Sequence, residues 1–292
     1  SQVRLDAVIF KWDLRVVVCW RMSKRKLSVQ VADVIVPEKL LSFVAKHMKS
    51  MNCGAHDVAH VHRVAKLARV IAAHEGADQT IAYVAGLVHD MLDSKLIDEE
   101  NAATAEQVLV NILKNDMTEA LPNWSDNDTE RVLEICKTVG YKNLLKTDWN
   151  PQDRTLEYKC VQDADLLDAI GAVGVARCFA FGGKRGRLMF GVANTIGASI
   201  TAEQYKAAKG SGVEHFFDKL LLIKDLMTTT TGSTMAIPRH NNMVQFLQSL
   251  DEELVEGGDY DTLDASTATS TSTSTVFSEN LAAYPILDLN SA

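Results

Sequence analysis

Residues 79–92 read Gln79-Thr80-Ile81-Ala82-Tyr83-Val84-Ala85-Gly86-Leu87-Val88-His89-Asp90-Met91-Leu92. Eight apolar or small residues in a row are too uniform for an amphipathic surface helix, and they predict a helix buried on all sides. Ala82, Ala85 and Gly86 fall on the face that carries His89, where small side chains let another helix approach closely. The run closes on a His-Asp doublet. An unpaired carboxylate in such surroundings is heavily penalised, so something has to bind it.

Outward from this segment, apolar positions recur at three-and-four spacing over Pro37 to about Met51 and over residues 55–74, 101–115, 126–140, 155–180, 213–227 and 235–254. Strand-like alternation is rare outside the first 27 residues. The predicted fold is all-α, a single helical bundle with flexible extensions at both ends. Residues 1–30 are an N-terminal extension, 31–255 the helical domain, and 256–292 a tail. Asp6, Asp13 and Arg15 interrupt the apolar stretch of a secretory leader, so none is expected there, while organelle targeting by the extension stays open. The tail holds the run Ala265 to Thr275, almost all Ser and Thr, which has too little apolar surface to offset its ordering entropy.

Composition narrows the function. The 292 residues are 47% hydrophobic and 23% charged, which is globular, and acidic residues outnumber Lys plus Arg by 38 to 30. A net charge of −8 argues against duplex nucleic acid as the main partner. No run approaches the ~20 apolar residues of a membrane span. The cysteines Cys19, Cys53, Cys136, Cys160 and Cys178 are odd in number and widely spaced, as reduced thiols in the cytoplasm are.

Two further helices carry polar groups on an apolar face. In residues 55–74 the stripe His60, Val64, Leu67, Ile71 turns His60 and His56 inward, and His62, in phase with Lys66 and Arg69, outward. In Val161 to Ile170, Asp165 and Asp168 share a face with Ala169 and Ala172, while Asp163 lies with Leu166, Leu167 and Ile170. A single inward histidine is ordinarily a satisfied core residue. Three helices that each bury groups of the metal-ligand type are explained together by convergence on one divalent cation. Two imidazoles and two carboxylates suit Mn²⁺, Fe²⁺, Co²⁺, Ni²⁺ or Zn²⁺, or Mg²⁺, and leave positions open for water and substrate.

His60, the doublet His89-Asp90 and an Asp within Ala164-Asp165-Leu166-Leu167 resemble the H…HD…D signature of the HD-domain metal-dependent phosphohydrolases. So do Ala55-His56-Asp57 to Val64, His89 to Lys95, Asp163 to Ala172, Ala176-Arg177-Cys178-Phe179, Gly182-Gly183, His215 to Leu220 and Arg239-His240. As a set they match compact single-domain members, some described as bacterial nucleotide pyrophosphatases.

The resemblance implies one divalent ion on His60, His89, Asp90 and Asp165, with Asp163 as the alternative fourth ligand. It implies hydrolysis of a small phosphorylated compound, a nucleotide above all, with a triphosphate cut to monophosphate plus pyrophosphate. Monoester or cyclic-diester cleavage, or a nucleotide sensor without catalysis, are the alternatives. Arg63 and Asp93 are the catalytic candidates. Lys95, Lys184, Arg185, His215 and Lys219 are the phosphate-binding candidates, with Lys184 and Arg185 on a glycine-rich loop. Asp168 would steady a ligand histidine or Arg177. The chain departs from its group at Leu166, where a basic residue is usual. No histidine stands between His89 and His215, which predicts a mononuclear centre.

Overall fold

A computed structural model describes residues 30–31, 33–51, 57–92, 99–146, 148–189, 210–256 and 278–287. Within the compact unit Val31–Ala292 these form helices, with no strand among the described residues. In chain order they are α1 (Glu38–Met51), α2 (Val58–Glu75), α3 (Gln79–Val88), α4 (Glu99–Asn111), α5 (Met117–Ala120), α6 (Asp126–Thr138), α7 (Tyr141–Leu144), α8 (Leu156–Asp168), α9 (Gly171–Lys184), α10 (Gly212–Asp218), α11 (Thr230–Glu256) and α12 (Ser278–Leu281). A π-helical turn over Ile112–Asp116 joins α4 to α5, and a 3-10 stretch over Leu220–Leu226 leads from α10 to α11.

The helix starts that matter are set by side chains. Asp57 caps α2 by accepting from the His60 amide at 2.7 Å, and Asp78 caps α3 by accepting from the Thr80 and Ile81 amides. Each such cap is worth about 1 kcal/mol. The Asp57 cap fixes the turn of α2 that carries His60.

The centre of the bundle is the mutual packing of α2, α3 and α8, with α6 laid against α3 and both α9 and α11 against α8. As its sequence requires, α3 is buried all round, through Ile81, Ala82, Val84, Ala85, Gly86, Leu87 and Val88. At Gly86, α2 and α3 are in close contact. A Cβ there would stand 2.9 Å from the Ala65 Cα, so any side chain would force the two helices apart.

Three expectations need correction. The segment 155–180 is two helices bent by 66°, because Gly171 takes a left-handed conformation with φ of +74° at the first turn of α9. That break lets α8 end at Asp168 while α9 returns Arg177 to the same place. Gly182 and Gly183 belong to the last turns of α9 and do not form a loop. Finally, residues 278–287 pack on the domain, in contrast to the flexible tail expected there. Leu281 is buried, Tyr284 stacks near Phe217 and His240, and the Asn241 amide pairs with both the N–H and the C=O of Leu287 at 2.8 Å. The Ser/Thr-rich run itself, and the extension before residue 30, lie outside the described residues. Among the described residues no single helix is long and apolar enough to cross a membrane.

Candidate metal centre

Three helices deliver four donors to one point. His60 stands in the first turn of α2, His89 and Asp90 follow the end of α3, and Asp165 lies in the penultimate turn of α8. Nε2 of His60 is 3.3 Å from an Asp90 oxygen and 3.7 Å from Asp165 Oδ1. Nε2 of His89 is 3.3 Å from the other Asp90 oxygen and 3.6 Å from Asp165 Oδ1. The two rings are 5.2 Å apart and nearly perpendicular. Donors held at about 2.0–2.2 Å from one ion sit roughly 3.0–3.6 Å from each other, so His60, His89 and Asp90 could hold a metal ion, with Asp165 beside them.

The rings are locked from behind. His89 Nδ1 donates to the Gly86 carbonyl at 2.8 Å, and His60 Nδ1 donates to Asp168 Oδ2 at 2.7 Å. Both contacts engage Nδ1 and turn Nε2 of each ring toward the carboxylates, the nitrogen a metal would take. The buried His89 Nε2 makes no hydrogen bond.

Electrostatics agree. Burial alone would lower the His89 pKa, but the charges of Asp90 and Asp165 reverse this and bring it to about 9. Burial would raise Asp165, and His89 and His60 hold its carboxyl below the usual range. Two carboxylates beside two nearly buried imidazoles thus favour positive charge at their centre, and the cluster could hold a metal ion.

Asp168 faces away from this point and gathers cations. Beside His60 it accepts from Arg63 Nε at 2.7 Å, Arg63 Nη2 at 3.0 Å and Arg177 Nη1 at 2.9 Å. Burial works to raise its pKa, but His60 and Arg63 keep the carboxyl well below the ordinary carboxylate value.

The centre opens into a cavity of about 270 Å³. His89, Asp90 and Asp165 line its floor with Cys136, whose thiol donates to the Val88 carbonyl at 2.9 Å and is pushed up to about 12 by burial. Lys137, Tyr141, Lys142, Asn143, Arg177 and Lys219 contribute to its walls.

The model of the HD domain family matches residues 57–170, from the α2 cap to the end of α8, the span that carries all four donors. Over 217 residues the chain is 36% identical to the Bacillus subtilis protein YpgQ, covering 74% of this chain and 93% of that one. The chain belongs to the HD-domain family. The crystal structure of YpgQ in complex with ADP is similar at a TM-score of 0.55 and 32% identity, over 74% of this chain and 97% of that one. A Lactobacillus plantarum protein matches at a TM-score of 0.59 and 28% identity, over 76% and 100% of the two chains. An HD-superfamily hydrolase from Bacillus thuringiensis matches at a TM-score of 0.51 and 31% identity, over 74% and 95%.

Within this HD domain the expected site residues separate into groups. His60, His89, Asp90 and Asp165 converge, and Lys219 lines the cavity they open into. His215, one turn before Lys219, is partly buried, and burial with the charges of Lys219 and Arg187 brings its pKa to about 3, so it is a neutral imidazole. Arg63 does not line that cavity. Its guanidinium is spent on Asp168, and it borders a separate hollow with Asp57 and Arg177. Lys184 and Arg185 also stay clear of the cavity, exposed at the end of α9, with Arg185 stacked 4.8 Å over Phe181. His56, Asp93 and Lys95 lie outside the described residues.

The α6–α7 wall, Lys137 and Tyr141 to Asn143, escaped the sequence reading. Its one signal is a glycine followed by an aromatic and a base in a segment too short to bury a face of its own.

Asp163, the rival for the fourth position, is turned away. Its carboxylate is fully buried and accepts from the Thr228 and Thr229 amides at 2.9 and 2.8 Å and from their hydroxyls at 3.0 and 2.7 Å, fastening α8 to the start of α11. Asp163→Ala is therefore expected to lower stability by about 2–4 kcal/mol, because four donors lose their acceptor. Denaturant unfolding measures that loss, and Mn²⁺ calorimetry on the same variant should show wild-type affinity.

Proposed function

We propose that this HD protein is a divalent-metal-dependent phosphohydrolase of small phosphorylated compounds, nucleotides above all, with His60, His89, Asp90 and Asp165 holding the ion. The observation that carries the reading is the convergence of these four donors, three of them at the floor of a cavity walled by Lys142, Arg177 and Lys219.

A bound divalent ion would supply Lewis acidity to a phosphoryl oxygen and lower the pKa of water. The residues do the rest. Nδ1 contacts to Asp168 and Gly86 turn Nε2 of both imidazoles toward the carboxylates. Asp90 and Asp165 bring two negative charges to the point where the ion is needed, and they exclude a free anion from it. Lys142, Arg177 and Lys219 place positive charge along the wall, where phosphoryl oxygens gain charge in the transition state. Leu166, nearly buried against the cavity, adds no charge where a base is usual in the group, so the wall cations carry that load.

The number of basic groups beside a metal favours a substrate with more than one phosphate, and the ADP complex of the related YpgQ supports a nucleotide. The finer reading is cleavage of a nucleoside triphosphate to monophosphate and pyrophosphate. Phosphorus NMR of a nucleotide panel incubated with Mn²⁺-loaded protein tests it. Pyrophosphate is expected among the products. Orthophosphate alone would move the assignment to a monoesterase, and strong binding with no product to a sensor.

A further inference from the structure

The segment 278–287 is held to the domain by few contacts. Leu281 is buried, and the Tyr284 ring lies 6.1 Å from Phe217 on α10 and 6.5 Å from His240 on α11. The Asn241 amide grips the backbone of Leu287, while Ile286 beside it is 52% exposed. A side-chain amide that donates to one main-chain group and accepts from another is a hold worth only about two hydrogen bonds. Residues 257–277 connect the segment to the end of α11. At about 3.3–3.6 Å per extended residue, that length of chain lets the segment leave its seat and return without moving α11.

The seat conceals an unsatisfied group. His240 is fully buried beside Tyr284, and neither of its ring nitrogens makes a well-formed hydrogen bond. Burial and the charge of Lys224 push its pKa down to about 4, against the pull of Asp225 and the Leu221 carbonyl, so the ring is neutral where it lies. The segment meets it with Tyr284, whose hydroxyl pKa is raised by burial and by the charges of Asp218 and Asp225, so that side chain offers no negative charge. Its neighbour Arg239 donates to the Leu167 carbonyl. An imidazolium in this place would be buried near a lysine and without a well-formed acceptor, a costly state.

We propose that residues 278–287 are a strap that acid releases, with His240 as its catch. While the strap is seated, His240 is covered and neutral. Once the strap leaves, the ring reaches water and takes a proton. Docking thus excludes a proton, so it is at full strength above the ordinary histidine pKa of about 6.5 and weakens as the pH falls below that value.

Hydrogen exchange read by mass spectrometry on the full-length protein, without added metal and corrected for the intrinsic pH dependence of exchange, tests the assignment. The reporter is the Leu287 amide, which donates to Asn241 Oδ1, with its neighbours in the strap. Between pH 7.5 and 5 the wild type should lose about tenfold or more of their protection, with the core helix α3 unchanged. His240→Gln, which cannot take the charge, should keep that protection at pH 5. Proton NMR of the His240 ring gives a second measurement that does not depend on this variant. The pKa is expected near 4 in the wild type, and near the free value of about 6.5 in Tyr284→Ser, where the strap is unseated.

Undiminished protection at pH 5 in the wild type, the same loss in His240→Gln, loss from α3 in step with the strap, or a His240 pKa unmoved by Tyr284→Ser would each overturn the proposal. None of these outcomes bears on the metal centre, whose test is separate.

Discussion

Asp90→Ala is expected to empty the metal centre and lower hydrolysis by about a thousandfold or more, the scale of several kcal/mol of charge stabilisation. Asp90 turns each of its two oxygens to a different imidazole, at 3.3 Å in both cases. Its removal leaves a single carboxylate, Asp165, to balance a divalent charge, and the remaining three donors no longer enclose the ion. The side chain is mostly buried but sits where α3 has ended, so its loss leaves the α2–α3–α8 packing intact. The check is metal content by mass spectrometry after Mn²⁺ loading and desalting, beside turnover of the substrate found in the nucleotide panel. His89→Ala should behave alike. A folded Asp90→Ala protein with full metal content and full turnover would end the metal-centre reading.

The part of this centre legible in the sequence was the part written in helical phase. A histidine in step with Val64 and Ile71 must point inward, and His60 is 1% exposed. The apolar run before His89-Asp90 had to be a core helix, and its alanines and Gly86 had to face a close neighbour, which is α2. Phase could not choose between Asp163 and Asp165, because both lie on inward parts of α8. What separates them in the structure is what stands opposite Asp163. Thr228 and Thr229, 65 residues later, come round to satisfy Asp163, and nothing local announces that pairing.

The errors share a cause. Arg63 stands one turn after His60, but a guanidinium so close to a buried carboxylate takes the carboxylate, and Asp168 arrives from 105 residues away. Gly182 and Gly183 suggested a loop, but α9 is long enough and packed well enough on α11 to keep two glycines helical in its last turns. The terminal segment 278–287 was merged with the Ser/Thr run before it, because composition averages over a window and hides Leu281 and Tyr284. Each of these depends on a partner distant in sequence, the information that periodicity does not carry.

The second large effect is expected at Asp168, a residue that would not touch metal or substrate. Its two oxygens accept from one imidazole and two guanidiniums while only 4% exposed. Asp168→Asn keeps the shape and removes the charge. The amide has one acceptor oxygen for four donors, and its NH₂ confronts cations, so two arginines lose their counter-charge and His60 loses its acceptor in a buried place. Removing one member of such a network costs about 3–5 kcal/mol, which denaturant unfolding will read. A second loss should appear in Mn²⁺ calorimetry, because His60 is then free to turn and to place its proton on Nε2. Outer partners of ligand histidines are worth about 10–100-fold in metal affinity.

Arg63→Ala supplies the contrast. That side chain is 39% exposed, so solvent takes over much of its share of Asp168, and the loss should be nearer 1 kcal/mol with Mn²⁺ affinity almost unchanged. If Asp168→Asn folds and binds Mn²⁺ as tightly as wild type, the carboxylate merely glues α8 to α2 and α9. If affinity falls in Asp168→Asn but not in Arg63→Ala, the two arginines serve to keep Asp168 charged, and Asp168 serves to aim His60.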